Sequence, residues 1–463
     1  MGSHDAYCPS VSAADFFGAR PNFLGMTDTS SKGRPVSVPA NRARRLAGLG
    51  GMASAIAGNM AAQGLRRLAT GQRPDPRSLL LTPGNAARIA DQLARMRGAA
   101  MKVGQLISMD AGEMLPPELA AILARLREDA DYMPPKQLRQ VLNANWGDGW
   151  LKHFRKFDVR PIAAASIGQV HRAHTKDGRD LAIKVQYPGV ARSIDSDVQN
   201  VAALIRLSGL LPKGLDINPL LEEAKSQLKD EADYQRERDQ ILQFQRLLCD
   251  VDGFALPTPH DDLTTQNVLA MSFLPGHPIE RLDTAAQSVR DSVATRLMDL
   301  MFREIFQFGA IQSDPNFANY RYDPQTDMIA LLDFGAARPV PDAVARDYAK
   351  LFRDAQAGKD LTDTAISLGF FSETTQPHHQ QMVLGMLDMV FDPLRTGGVF
   401  DFGNRHLAAE LNRAGMAMAE ERDFVHVPPI ETLFLQRKFG GLYLLCTRLG
   451  ARVDIGAMVE KYL

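Results

Sequence analysis

Cysteine is nearly absent: three in 463 residues, at Cys8, Cys249 and Cys446. Their spacing matches no zinc site and three cannot pair off, so a disulfide scaffold is excluded and reduced thiols are expected. Pro (27) and Gly (36) are too few and too irregular for a fibre, while 45% hydrophobic residues with 53 basic against 54 acidic ones exclude a disordered chain. The start has no basic segment followed by a long apolar core, so no secretory signal is expected, and its acidic residues with few arginines make a poor transit peptide. No internal repeat or low-complexity tract occurs. With a net charge of −1 there is no global basic surplus for a polyanion, and no nucleic-acid partner is expected.

Glutamate is missing from the first 105 residues altogether. That stretch holds 14 Lys and Arg against 5 Asp, a net of +9, which leaves 39 against 49, or −10, for the rest. A basic arm thus precedes an acidic body, and such arms suit anionic membranes, nucleic acid or an acidic partner, or are simply solvated extensions. Residues 1–45 are expected to form a flexible basic tether, ending in a polar, Pro-containing stretch. From Leu46 to Leu65 runs an uncharged stretch, LAGLGGMASAIAGNMAAQGL, between Arg44-Arg45 and Arg66-Arg67. Its 20 residues match a membrane span in length, but five glycines, Asn59 and Gln63 make it weakly apolar. Residues 46–77 are therefore expected to carry a small-residue helix that spans a membrane, lies on one, or packs against a partner or within the protein, and residues 42–67 to contact anionic lipid. Helical text follows over 78–150, strand-like text over 155–186, long helices over 190–248, and a short strand pair near 254–273. From Asp283 the chain is mostly helical, with loop and strands between Ile311 and Leu332. This predicts an α+β fold in two lobes, residues 151–275 forming a smaller one with a helical insert and 276–463 a larger helical one.

The chemistry is concentrated in QSDPNFANYRYDPQTDMIALLDFGAAR. Asp314 and Asn319 stand at D-x-x-x-x-N spacing, then a hydrophobic strand leads to Asp333 in D-F-G. That is the layout of a kinase catalytic loop and metal-binding loop: one Asp beside the phosphoryl acceptor, an Asn and a second Asp on Mg²⁺. An Asx-rich turn before a buried strand would account for D-P-N but not for D-F-G after it. Lys184, in L-A-I-K, supplies a cation for phosphates. The turn Ile162 to Ala173, where a protein kinase has its glycine-rich cover, reads IAAASIGQVHRA. Alanine disfavours the positive-φ conformations of a glycine loop, so a stiffer cover is expected. His171 in the next strand is expected to be a packed side chain rather than an acid or base.

Taken together these residues resemble the UbiB/AarF atypical kinases, in particular their ubiquinone-biosynthesis branch. The resemblance extends from about Arg42 to the end. It rests on K-x-G-Q at Lys102, Gly104 and Gln105, the Ala-rich loop at Ala163, Ala164, Ala165 and Ser166, and E-x-D at Glu231 and Asp233. It implies a protein-kinase-like two-lobed α+β fold with an N-terminal helical extension covering the active site. Mg²⁺ and ATP are the implied ligands. Lys184 would contact phosphates and pair with Glu237, and Met271, Ser272, Phe273 and Leu274 would form the adenine-contacting hinge. Ile162 would border the nucleotide beneath the Ala-rich loop. Lys102 would approach Glu231 and Asp233 and close the groove where a protein substrate would lie. Gln312-Ser313 replaces the usual His-Arg before Asp314, so the support of the catalytic loop must differ.

The implied function is an atypical kinase or ATPase supporting ubiquinone or a related isoprenoid quinone. It would act on a small or lipid-like molecule such as a quinone precursor, with little activity on proteins. The alternative is an ATP-gated scaffold that assembles quinone-biosynthesis enzymes without turnover. Quinone-biosynthesis enzymes are the implied partners, and a homodimer through the small-residue helix is a further expectation. The implied place is the inner membrane, on the cytoplasmic side in a bacterium or the matrix side in a mitochondrion.

Overall fold

The computed structural model describes residue 54 and residues 58–62, 98–100, 102–104, 132–208, 217–404, 406–420 and 428–463. The tether over 1–45, most of the uncharged stretch at 46–65, and Gln105 lie outside the described residues. In chain order come α1 (Pro135–Trp146), β1 (Phe154–Phe157), β2 (Ala163–Ala164), β3 (Gly168–Thr175), β4 (Asp180–Gln186), α2 (Val190–Ser208), α3 (Asn218–Glu231), α4 (Tyr234–Leu247), β5 (Phe254–Ala255), β6 (Val268–Ser272) and β7 (His277–Pro278). There follow α5 (Gln287–Phe306), β8 (Ala310–Gln312), β9 (Tyr320–Asp323), β10 (Met328–Leu331), β11 (Ala337–Pro339), α6 (Asp342–Gln356), α7 (Thr362–Ser367), α8 (Pro377–Thr396), β12 (Phe400–Asp401), α9 (His406–Glu420), α10 (Ile430–Leu449), β13 (Arg452–Val453) and α11 (Ile455–Tyr462).

The first sheet is antiparallel in the order β1-β3-β4-β6, with β2 on β3. Successive side chains of a strand point to opposite faces. In β4 this sends Leu181, Ile183 and Val185 to a core shared with Leu138 and Leu142 of α1 and with Trp150 and Phe154. Each such fully buried aliphatic side chain contributes about 1.5–3 kcal/mol. The alternate residues, Ala182 and Lys184, face α4, where Tyr234, Ile241 and Phe244 begin a second core that continues through α5, α6, α8 and α10. Among the described residues no helix is long and apolar enough to cross a membrane.

The expected strand pair near 254–273 is corrected. β5 does not pair with β6; it joins β10 in parallel in the second sheet, ordered β5-β10-β9-β7. What runs beside β6 is the extended stretch 258–260, through Thr258 O, the Pro259–Met271 bridge and the His260 N–H. Prolines at 257 and 259 have no N–H to give a ladder, which keeps this stretch from becoming a full strand.

His171 is fully buried in β3. Gln169 Oε1 accepts the Met133 N–H at 2.8 Å, so its Nε2 donates to His171 Nε2, also at 2.8 Å. His171 Nδ1 then donates to Asp158 O at 2.7 Å, which specifies the neutral ring. Burial lowers its pKa to about 4. A folded value below the unfolded ~6.5 means stability is complete above that pH and is lost as pH falls toward 4. We expect about 2 kcal/mol less stability at pH 5 than at pH 8 from this group. Urea unfolding at both pH values checks it; an equal loss in a His171→Asn variant would refute it.

Candidate active site

Lys184 sits at the centre of the strand that the pattern above turns toward α4, opposite Val170 of β3 and Leu269 of β6. Its Nζ donates to both carboxylate oxygens of Glu237, at 2.8 and 2.9 Å, and to Asp333 Oδ2 at 3.1 Å. α4 delivers Glu237 because Asp233 caps the helix, its Oδ1 accepting the N–H groups of Gln235 and Arg236 at 3.1 Å. Glu237 thus lies in the first turn, where a helix favours negative charge. Burial opposes the Lys184 charge, but Asp333 and Glu237 beside it raise its pKa well above the ordinary lysine range. Burial pushes the Glu237 carboxyl up to about 7, against the pull of Lys184.

The second half of the site is carried by β8, β9, β10 and the turns between them. β8 ends at Gln312 and delivers Asp314 half-buried at its tip. Asn316 caps a short 3₁₀ turn through the Ala318 N–H, so D-P-N is indeed an Asx turn as well as part of the loop. Asn319 Nδ2 donates to Asp314 Oδ2 at 3.3 Å, and Asn319 O accepts the Leu332 N–H at 3.0 Å, next to Asp333. Desolvation opposes it, yet Lys184 and the Gly335 N–H, 2.9 Å from Oδ1, hold the Asp333 carboxyl below the ordinary aspartate range. A Cβ at Gly335 would stand 3.3 Å from that oxygen. Phe334 packs inward against Phe244 of α4, ring centres 4.9 Å apart.

Over this centre the Ala-rich turn is a strand edge: Ala163 and Ala164 form β2, paired with Val170 and Gln169 of β3. Neither alanine has positive φ. Ala165 donates its N–H to Gly168 O, and Ser166 Oγ donates to Glu231 Oε2. Residues 102–104 are helical, with Lys102 and Gly104 buried. Lys102 Nζ lies 2.5 Å from Glu231 Oε1. Residues 98–100 are helical too, and a Cβ on Gly98 would stand 2.7 Å from Ile167 Cγ2 and 3.0 Å from Ser166 O. The expected pairing of Lys102 with both carboxylates of E-x-D is corrected: Glu231 takes the ammonium, whereas Asp233 is occupied by the N-terminus of α4. Two residues apart, they straddle the break between α3 and α4, which sets them different tasks.

Met271 lies opposite Ala182 in the sheet, and Ser272 Oγ accepts the Thr258 N–H at 2.8 Å. Phe273 donates its N–H to Asp180 O and carries the Arg172 guanidinium 4.0 Å from its ring centre. Leu274 follows, half-buried, in the extended link between the two sheets. Ile162 is 45% exposed and donates its N–H to Val170 O. The site therefore holds Lys184, Glu237 and Asp333 in one bonded group and Asn319 and Asp314 in another, adjoined through the Leu332 N–H to Asn319 O bond, with Lys102, Ser166 and Glu231 as a further set above them.

Sequence reasoning missed four contributors. Tyr234 is fully buried with Lys184 Nζ 5.4 Å from its ring centre. Arg236 donates to Gly335 O and Ala337 O, both at 2.8 Å, tying α4 to the segment after D-F-G. Glu304 and Lys438 form a buried pair beneath the Asp314 loop, 3.1 Å apart. Lys438 did leave a signal: Arg437-Lys438 is a doubly charged step inside the apolar run of α10.

Residues 125–363 match the ABC1 atypical kinase-like domain. The chain is 38% identical over 434 residues to the mitochondrial atypical kinase COQ8 of Saccharomyces cerevisiae, covering 92% of this chain and 85% of that one. It is 35% identical over 432 residues to the mitochondrial atypical kinase COQ8B of Rattus norvegicus, covering 92% and 81%. Among solved structures, the Rv3197–erythromycin complex from Mycobacterium tuberculosis superposes with a TM-score of 0.56 at 24% identity, over 82% of this chain and 96% of that one. That likeness establishes a shared fold.

Proposed function

This chain belongs to the ABC1 atypical kinase family, and from that premise we propose that it binds Mg²⁺-ATP and uses it, by phosphoryl transfer or hydrolysis, in support of ubiquinone or a related isoprenoid quinone. The observation that carries the proposal is the junction at Lys184, where one buried ammonium meets Glu237 and Asp333 while Asp333 adjoins the Asp314–Asn319 loop.

The donor set fits the metal. Asp333 and Asn319 offer hard oxygens, and Mg²⁺ is held by one or two carboxylates completed by water and phosphate oxygens. When bound, the metal neutralises charge on the phosphates. Lys184, oriented by Glu237, would hold the phosphates of the nucleotide. Asp314 is placed to orient the attacking hydroxyl or water and accept its proton. The backbone of Met271 to Leu274 would hold the adenine, and Ile162 with Ala163 to Ser166 would cover the nucleotide.

Gly98 against Ser166 and Ile167, and Lys102 on Glu231, support reading the K-x-G-Q segment as a cover that would narrow the approach to the site. This favours a small or lipid-like acceptor, such as a quinone precursor, over a protein. The basic stretch 42–67 is the proposed contact with anionic lipid at an inner membrane, and quinone-biosynthesis enzymes are the proposed partners.

An Asp314→Asn variant tests the reading. Nucleotide binding should persist within about threefold while turnover falls about 10²–10³-fold, as expected when a group acting in the transition state is removed. Biological rescue by that variant with turnover abolished would instead establish the scaffold. Ready phosphorylation of generic proteins, with no turnover of ATP alone, would refute the small-molecule reading.

A further inference from the structure

We propose that the buried ion pair of Glu304 on α5 and Lys438 on α10 is a clamp that sets the position of the Asp314 loop, making these two side chains positioning residues for the reaction. The inference rests on the kinase reading of Asp314.

The geometry is specific to that loop. Glu304 and Lys438 are 1% and 4% exposed. Lys438 Nζ donates to Gln312 O at 2.9 Å and to Tyr320 Oη at 3.3 Å, and stands 3.1 Å from Glu304 Oε2. The other carboxylate oxygen, Oε1, accepts the Gln312 N–H at 3.2 Å. Two of the ammonium's protons go to loop acceptors, Gln312 O and Tyr320 Oη, and Glu304 Oε2 stands beside it as the counter-ion. Gln312 stands two residues before Asp314, and Tyr320 directly follows Asn319. One charge therefore holds both ends of the D-x-x-x-x-N loop, while its counter-ion grips the remaining backbone group of Gln312.

α10 supports the same loop three residues further on. Gly441 lies so close to Pro315 that an added Cβ would stand 2.1 Å from Pro315 Cβ. Stability alone is a weak reason for such a pair, because apolar residues of similar volume do as well or better in a core. Its placement answers a need already visible in the sequence: Gln312-Ser313 stands where the His-Arg support would be. Ser313 contributes only a tie sideways, its Oγ donating to Ala336 O at 2.8 Å.

The test compares the full chain with a Glu304→Gln/Lys438→Met double variant, which removes both charges and keeps an acceptor for the Gln312 N–H. Asp299→Asn serves as control. Asp299 is on the same helix but bonds Arg303 and Lys461 away from the loop. Nucleotide affinity, kcat and amide exchange over residues 312–320 are read together. We expect affinity within threefold of the parent, kcat lowered about 100-fold, as a displacement near 1 Å produces, and exchange over 312–320 at least tenfold faster with β3 and β4 unchanged. A kcat within threefold of the parent overturns the clamp. So does a parallel loss of affinity, kcat and exchange protection throughout the chain, which marks a merely structural pair. If the double variant does not fold, Tyr320→Phe replaces it: a several-fold loss of kcat at unchanged affinity upholds the clamp, and an unchanged kcat overturns it. Should the parent show no turnover, the kinase reading fails, and exchange over 312–320 alone decides the clamp.

Discussion

Replacing Asp333 with Asn is expected to lower Mg²⁺-dependent nucleotide turnover by about 10³-fold, the scale seen when a preorganised charge is removed from a transition state. The amide keeps the shape of the side chain and one oxygen for the Gly335 N–H. It removes the charge that Lys184 Nζ meets at 3.1 Å and the anionic donor proposed for the metal. Nucleotide affinity measured against Mg²⁺ concentration should flatten in the variant, because the group that couples metal to nucleotide is gone. A turnover within tenfold of the parent, with the metal dependence intact, would remove Asp333 from the metal site.

Lys184→Met is expected to destabilise the fold by about 3–5 kcal/mol, the cost of leaving a buried charge without its partner. Glu237 has no exposure and accepts two hydrogen bonds from that ammonium. With the ammonium gone its carboxyl must protonate or open a path to water. The variant should therefore regain stability as pH falls through the raised pKa of Glu237, the opposite of the His171 trend. Lys184→Met/Glu237→Gln should recover most of the loss while remaining inactive, because the double change removes the stranded charge without restoring a cation for phosphate. Denaturant unfolding of parent, both single variants and the double variant gives the coupling energy. A double variant no more stable than Lys184→Met would show that the pair's charge is not what the fold depends on.

The sequence exposed the parts whose identity is their signal. D-F-G, the L-A-I-K strand and the D-x-x-x-x-N spacing are local strings, and the strand period alone predicts that Lys184 and Ile183 face opposite ways. The pairing of Lys184 with Glu237, 53 residues apart, came from resemblance and not from spacing. Contacts that depend on two elements meeting were invisible. Nothing in the local text distinguishes Glu304 from an ordinary helix glutamate, and only the packing of α5 on α10 buries it beside Lys438. β5 illustrates the same limit: a two-residue strand carries no pattern that names its partner, and it joined β10 because Phe254 is covered by the larger core. Asp233 looked like a second carboxylate for Lys102 until the start of α4 claimed it.

The guanidinium of Arg236 has a consequence for how this enzyme can be controlled. Swinging α4 outward would break its two bonds to Gly335 O and Ala337 O together with the two from Lys184 to Glu237. Four charge-assisted bonds at about 1.5 kcal/mol or more each put the swung-out state at a population on the order of 10⁻⁴ or less. Arginine does not titrate in the physiological range, so neither mild acid nor a nearby phosphate group can release it by discharging it. Whatever holds or releases Glu237 on this helix, the Arg236 side of the attachment keeps its charge, so α4 stays tied to the segment after D-F-G independently of the Lys184 pair.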